Sequence, residues 1–322
     1  MGVLISDKFK AWQQECEERF IQLKNNEEEL NRIFIDIYGL QEELTPDVED
    51  KDITVHRIYE SKDSIPESMK GSRYARTKAD EIKSLISYAV GCMFGRYSLD
   101  VEGLAFAGGD WDASKYSSFI PDNDNIIPIT DEEYLPDDVV SRTIEFVKAV
   151  YGEETLEENL RFIAEALESK GNTAREVIRN YFLRDFYKNQ VKIYQKRPIY
   201  WLFESGKADG FKALIYLHRY NPDTIGKLRI DYLHKLQRVY ENEIDHMRDT
   251  IELSADAREV SSATKRMEKI IKQLKETKDY DEKIAHLALA RIELDLDDGV
   301  KVNYEKLQTG TDGLKYEVLG KF

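Results

Sequence analysis

A predominantly helical α+β fold is what this 322-residue sequence predicts, and three patterns carry the expectation. Long runs free of glycine and proline near both ends repeat apolar residues at helical intervals. Around residue 205, two blocks of aromatic and β-branched residues flank a glycine-containing loop, as a β-hairpin requires. From Leu99 to Pro136 the chain is rich in Gly, Asp and Pro, which leaves room only for short strands.

In chain order, residues 7–38 read as one helix. Trp12, Cys16, Phe20, Leu23, Leu30, Phe34 and Ile37 recur at intervals of three, four or seven, and Gly39 and Pro46 close the run. The following segment, "TPDVEDKDITVHRIYESKDSIPESMKGS", is polar and aperiodic and is expected to be loop or linker. A second helix carries Ile82, Leu85, Ile86, Ala89, Val90 and Met93 and ends near "GRYS". In the irregular stretch after it, "NIIPI" is a candidate strand. Helices resume near Asp137, and Thr155 with Glu158 and Thr173 with Glu176 fit capping boxes that predict starts near 156 and 174.

The stretch "RPIYWLFESGKADGFKALIYLHRY", residues 197–220, reads as the hairpin. One face of its second strand carries Phe211, Ala213, Ile215 and Leu217, the other Lys212, Leu214, Tyr216, His218 and Tyr220. Asp223 is placed to cap a long helix bearing Leu228, Tyr232, Leu236, Val239, Met247 and Ile251. After a break at "SADARE", a second helix through Ile270, Leu274, Ile284 and Leu287 completes a long antiparallel helical hairpin. The tail "LDLDDGVKVNYEKLQ" is expected to hold a short strand. Three regions follow: residues 1–80 (long helix and linker), 81–222 (mixed α+β, acidic then basic) and 223–322 (helical arm and tail).

Two cysteines, Cys16 and Cys92, cannot build a disulfide framework or a cysteine zinc site. No apolar run nears the roughly 18 residues of a membrane span, and the first residues lack a signal-peptide pattern. A cytoplasmic protein is expected. A net charge of −15 argues against binding nucleic acid over the whole surface. The charge is unevenly spread, however. Residues 98–169 hold 18 Asp/Glu against 4 Lys/Arg, whereas residues 170–235 hold 14 Lys/Arg against 6 Asp/Glu. An anionic partner has one place to bind, and the hairpin lies inside it.

Taken alone, the sequence shows no catalytic pattern. "ESGKADG" lacks the spacing of a phosphate loop: Trp201 stands where its first glycine belongs, and Ala208 follows the lysine in place of Ser or Thr. In "DLDDG" the glycine is fifth rather than sixth, so an acidic turn is expected and not a calcium loop. The five histidines show no ligand spacing. "PDD" at 136–138 with Glu145 and Lys148 is the nearest approach to a nuclease set, but the last two fall on a helix. There is no glycine-rich turn for an adenosyl cofactor and no [DN]-P-P-[YF] tetrad. "NPDT", from Asn221 to Thr224, lacks the second proline and the aromatic.

Six ordered blocks resemble one family: "NEEELNRIFIDIYGLQEELTPDVEDKDIT", "SLISYAVGCMFGRYSLDVEGLAFAGG", "IIPITDEEY", "VYGEETLEENL", "YQKRPIYWLFESGKADGFKALIYLHRY" and "DLDDGVKVNYEKLQ". They are similar to the C-terminal region of the adenine-specific DNA methyltransferase of bacteriophage-exclusion (BREX, or Pgl-type) defence systems. The resemblance implies a larger protein whose N-terminal domain binds S-adenosylmethionine and methylates adenine N6. The C-terminal part would recognise DNA and connect to other defence-system proteins. The catalytic half has no counterpart here, so no catalytic residue carries over, no cofactor is expected in this chain, and the chain by itself is expected to be inactive. Candidate contacts to double-stranded DNA are Lys196, Arg197, Lys207, Lys212 and Arg219 for phosphates, with Tyr200, Trp201 or His218 for bases or sugars. The competing reading puts the aromatics in the core and the cations on a solvated rim. A protein-interaction role for the acidic region and the arm is the alternative.

Overall fold

The computed structural model describes residues 2–322 and is α+β with helix predominant. The helices are α1 (Ile5–Tyr38), α2 (Lys78–Met93), α3 (Val139–Tyr151), α4 (Leu156–Leu167), α5 (Ala174–Tyr181), α6 (Tyr187–Ile193), α7 (Thr224–Lys227), α8 (His234–Leu253), α9 (Ala257–Ala290) and α10 (Val300–Leu307). The strands are β1 (Arg57–Tyr59), β2 (Ala75–Thr77), β3 (Ile127–Pro128), β4 (Tyr200–Glu204) and β5 (Lys212–Tyr216). π-helical stretches at 182–186 and 228–233 join α5 to α6 and α7 to α8 without a break. The chain divides into two compact units: residues up to Ser87 with Val150–Glu168, and Tyr88–Ala149 with Ser169–Phe322.

The first unit is built along α1. Nothing in its 34 residues breaks a helix, and Gly39 ends it at φ 67°, a left-handed conformation that costs glycine least. Phe9, Cys16 and Ile58 form one buried cluster against Phe162 of α4, and Phe20, Ile53 and Met69 form another. The expected linker therefore contributes to the core. Its Arg57–Tyr59 pairs in parallel with Ala75–Thr77, and Arg57 forms an ion pair with Glu17 (2.6 Å) while lying over the Phe20 ring. The periodicity was invisible because three apolar residues, Ile53, Ile58 and Met69, are spaced too widely to mark an element. α4 begins at Leu156 as expected, but Thr155 does not cap it through its side chain: the hydroxyl lies 3.1 Å from the carbonyls of Val3 and Tyr151 and accepts from the Asn159 side-chain amide. At α5 the cap forms: Thr173 accepts from the Glu176 amide.

The second unit is organised by a three-stranded antiparallel sheet in the order β3-β5-β4. β5 is central, paired as Ile127↔Leu214 on one side and Leu202↔Leu214 on the other. The segment around Leu319 continues past β4: the Glu204 amide donates to Val318 and the Gly320 amide to Leu202. One face of the sheet packs Trp201, Phe203, Ala213 and Ile215 under the helical hairpin. The other packs Tyr200 against Phe94 (5.5 Å between ring centroids) and against Tyr216 (5.6 Å). Both faces of the predicted hairpin are thus interior, and every residue of β5 is buried. The "GCMFGRY" turn supports this packing. A Cβ on Gly91 would sit 2.4 Å from the Tyr97 ring, and Arg96 donates to the Tyr216 hydroxyl at 3.1 Å.

α8 and α9 form the expected antiparallel hairpin, linked by Arg229–Asp281 (2.7 Å), Gln237 to the Thr277 carbonyl and Lys278–Glu241 (2.8 Å). Its base belongs to the core. The Tyr240 hydroxyl donates to the Gly210 carbonyl (2.9 Å) and Tyr280 to that of Val318 (2.7 Å), so each buried ring keeps its polar end partnered. Only residues 245–262, the tip, bury nothing. Asp223 does not cap α7 through its side chain; it pairs with Arg291 instead. The strand expected in the tail is α10, preceded by a turn in which Asp295 accepts from the Asp297 amide.

Candidate nucleic-acid interface

The eight residues singled out from sequence divide three ways. Tyr200, Trp201 and Lys212 are interior, at 1%, 0% and 5% exposure. Tyr200 is squeezed between Phe94 and Tyr216, and burial holds its hydroxyl well above the usual tyrosine range. The Lys212 ammonium is caged by Glu204 (2.9 Å), Asp209 (3.0 Å) and the Leu183 carbonyl (3.1 Å). A buried lysine with two carboxylates and a carbonyl has no donor left for a phosphate. Central placement of β5 is the physical reason: neither of its faces meets solvent.

His218 and Arg219 are half-buried at the rim of a cavity of about 580 Å³. The Arg219 guanidinium donates to the carbonyls of Phe94 (3.2 Å), Asp122 (2.8 Å) and Asn123 (3.1 Å) and lies over Trp111. Burial lowers the pKa of both Arg219 and His218, and His218 stacks on Tyr216 at 4.9 Å. Arg219 therefore clasps the 121–126 loop. Next to it, burial and then the charge of Asp124 push the Asp122 carboxyl up to about 7. The Tyr232 hydroxyl lies against both Asp124 (2.9 Å) and Asp137 (2.7 Å). Asp138, the other half of "PDD", is fully buried in an ion pair with Arg179 (2.7 Å).

Lys196, Arg197 and Lys207 are exposed and have no ion-pair partner among the described residues. They are joined by cations outside the hairpin. Arg184, Lys188 and Lys192 stand at intervals of four along the π-helical stretch and α6, all exposed, and lead to Lys196 and Arg197. Three residues four apart lie along one side of a helix, so they form a basic ridge about 12 Å long from Arg184 to Lys192. The spacing was legible in "RDFYKNQVK".

Arg184 also begins a cleft of about 1090 Å³ between the hairpin loop, α9, α10 and the tail. Three of its cations are paired: Arg184 and Lys212 on Asp209, and Lys315 on Glu305 (2.6 Å). Lys207, Lys283, Lys301 and Lys321 line it, exposed and without ion-pair partners among the described residues. The "SGK" loop does hold an anion, though not a phosphate. The Ser205 hydroxyl (2.7 Å) and the amides of Ala208 (2.7 Å) and Gly210 (3.0 Å) all donate to the Glu276 carboxylate of α9. β2 enters α2 through "TKADE", with Asp80 bonded to Thr77, and β5 leaves through "LHRYNPDT".

No family model matches the chain. It is 49% identical over 306 residues to the adenine-specific methyltransferase PglX of Lacticaseibacillus casei (strain Zhang), covering 94% of this chain and 24% of that protein. It is 42% identical over 298 residues to the adenine-specific methyltransferase BrxX of Escherichia coli O9:H4 (strain HS), covering 88% of this chain and 24% of that protein. The chain spans about a quarter of the length of the curated relatives it matches. Identity of this order, sustained along nearly the whole chain, makes it a homologue of one quarter-length part of the PglX and BrxX adenine-specific methyltransferases.

Proposed function

We propose that this chain is the DNA-recognition and scaffolding part of an adenine-N6-specific DNA methyltransferase of a phage-defence system, following the catalytic domain. The observation that carries the reading is the row of unpaired cations Lys188, Lys192, Lys196 and Arg197, which extends the ridge from the Asp209-paired Arg184 and is continued by Lys207 at the cleft, in a chain of net charge −15. Exposed cations without carboxylate partners hold counter-charge from solution, and a phosphate backbone replaces it with release of ions. The ridge acts by position and charge. It fixes a duplex against the second unit without reading its sequence. S-adenosylmethionine and the methyl transfer belong to the catalytic domain of the larger protein, and this chain supplies neither.

The test is titration of the purified chain against a duplex of about 20 base pairs at two salt concentrations. Binding that weakens steeply with salt is expected. Absence of binding at low salt would remove the independent DNA-contact role while leaving the homology untouched.

A further inference from the structure

The end of α1 carries an apolar face that its own unit leaves uncovered. Leu30, Ile33, Phe34, Ile37 and Tyr38 follow the i, i+3, i+4, i+7, i+8 pattern and therefore share one side of the helix. They are 54%, 45%, 54%, 67% and 70% exposed, while the neighbouring Ile35 is buried. Single exposed apolar residues are ordinary, but five adjacent ones mark an interaction surface.

Local folding turns this face into a groove. At Gly39 the chain reverses, the Leu40 amide bonds the Ile35 carbonyl (2.9 Å), and Asn31 holds the Pro46 carbonyl at 3.1 Å. Leu44, 54% exposed, then faces Phe34 and Tyr38 across a depression of about 250 Å³.

Charge decides what the groove takes. Residues 27–49 contain eight Asp/Glu and one basic residue, Arg32, which is itself paired with Glu29. Asp36, Glu42 and Glu43 are exposed around the apolar face. Duplex DNA is repelled by such a rim, and so is the same face of a second copy. A polypeptide with apolar anchors and cationic flanks gains on both counts.

We propose that this groove docks a basic amphipathic helix from another protein. Its apolar residues at i, i+3 or i+4, and i+7 would enter the depression between Phe34, Tyr38, Leu40 and Leu44 and extend over the adjoining exposed Ile37, with Lys or Arg meeting Asp36, Glu42 and Glu43. The surface lies in the first unit and is independent of the cationic ridge, so the two readings stand or fall separately.

Fluorescence anisotropy with the full chain tests it, using three labelled synthetic peptides of about 18 residues, roughly 27 Å as helices. One is a Lys-rich amphipathic helix, the second has the same composition with its apolar positions scrambled, and the third carries Glu in place of Lys. The first should bind at least about tenfold tighter than either other. The double variant F34D/I37D should weaken it by at least about tenfold and leave duplex DNA affinity unchanged, while L253D at the arm tip should have no effect. Both sites are exposed, so thermal unfolding should be unaltered. The proposal is overturned if the basic amphipathic peptide fails to bind at about millimolar concentration, if the scrambled or acidic peptide binds equally well, or if F34D/I37D leaves binding intact. Self-association in sedimentation that F34D/I37D abolishes would overturn it in favour of a second copy.

Discussion

Replacing Lys188 and Lys192 by glutamine removes the middle of the basic ridge, and the consequence for DNA binding can be worked out from the count of unpaired cations. Lys188, Lys192, Lys196, Arg197 and Lys207 are exposed without ion-pair partners among the described residues. Five phosphate contacts give a slope of about −4.5 for log K against log salt, and affinity falls about 500-fold between 50 and 200 mM. Removing two contacts flattens the slope to about −2.7. The loss should be about 200-fold at 50 mM and only about 20-fold at 200 mM, because each contact is worth more where fewer counterions compete. Arg184 is left in place because its bond to Asp209 belongs to the Lys212 network. Both substitutions are on exposed side chains, so stability should change by less than about 0.5 kcal/mol. The assay is anisotropy with one labelled duplex across four salt concentrations, on the wild type and the double variant. A variant slope equal to that of the wild type would refute the ridge as the phosphate-contacting surface, whatever the absolute affinity.

The Asp122 carboxyl titrates near 7 in the fold against an ordinary 3.8, so the native state holds an extra proton between those values. Its contribution is full below pH 3.8 and lost as pH rises through about 7; Asp122→Asn should therefore gain stability over the wild type progressively from pH 4 to pH 8. Denaturant melts across that range check it, and parallel profiles would count against the buried acid. Arg179→Ala strands the fully buried Asp138 carboxylate and should cost about 3–5 kcal/mol in the same melts, whereas loss of an exposed pair such as Arg248–Asp245 should cost under about 1 kcal/mol. Glu276→Ala leaves Ser205, Ala208 and Gly210 without their common acceptor and should raise amide exchange across 205–210, with a stability loss of about 1–3 kcal/mol; unchanged exchange would show that the loop is held by other means.

Much of the architecture was legible because it is periodic. α1, α2, α8 and α9 announce themselves through apolar spacing, and the hairpin through two short blocks around a glycine loop. Elements without periodicity were missed. β1 and β2 are three residues each and depend on α1 for burial, and α10 does not show as a helix in the sequence because eight residues give too few turns to show a stripe. The capping sequence at Thr155 marks the start of α4 at Leu156, but the expected side-chain cap does not form there. A hydroxyl bonds whichever partner the fold brings, and Val3, 152 positions away, lies beyond any local rule.

The sequence by itself determined three things about this protein: its helical character, its segregation of charge, and its kinship with a part of the adenine-specific methyltransferases. Tertiary structure decided which cations are free. Lys207 and Lys212 are five residues apart and chemically identical, yet one faces solvent and the other is enclosed by Glu204, Asp209 and a carbonyl. Whether a lysine can meet a phosphate depends on its exposure and on the carboxylates around it. Both are set by contacts distant in sequence, above all by the burial of β5 at the centre of its sheet.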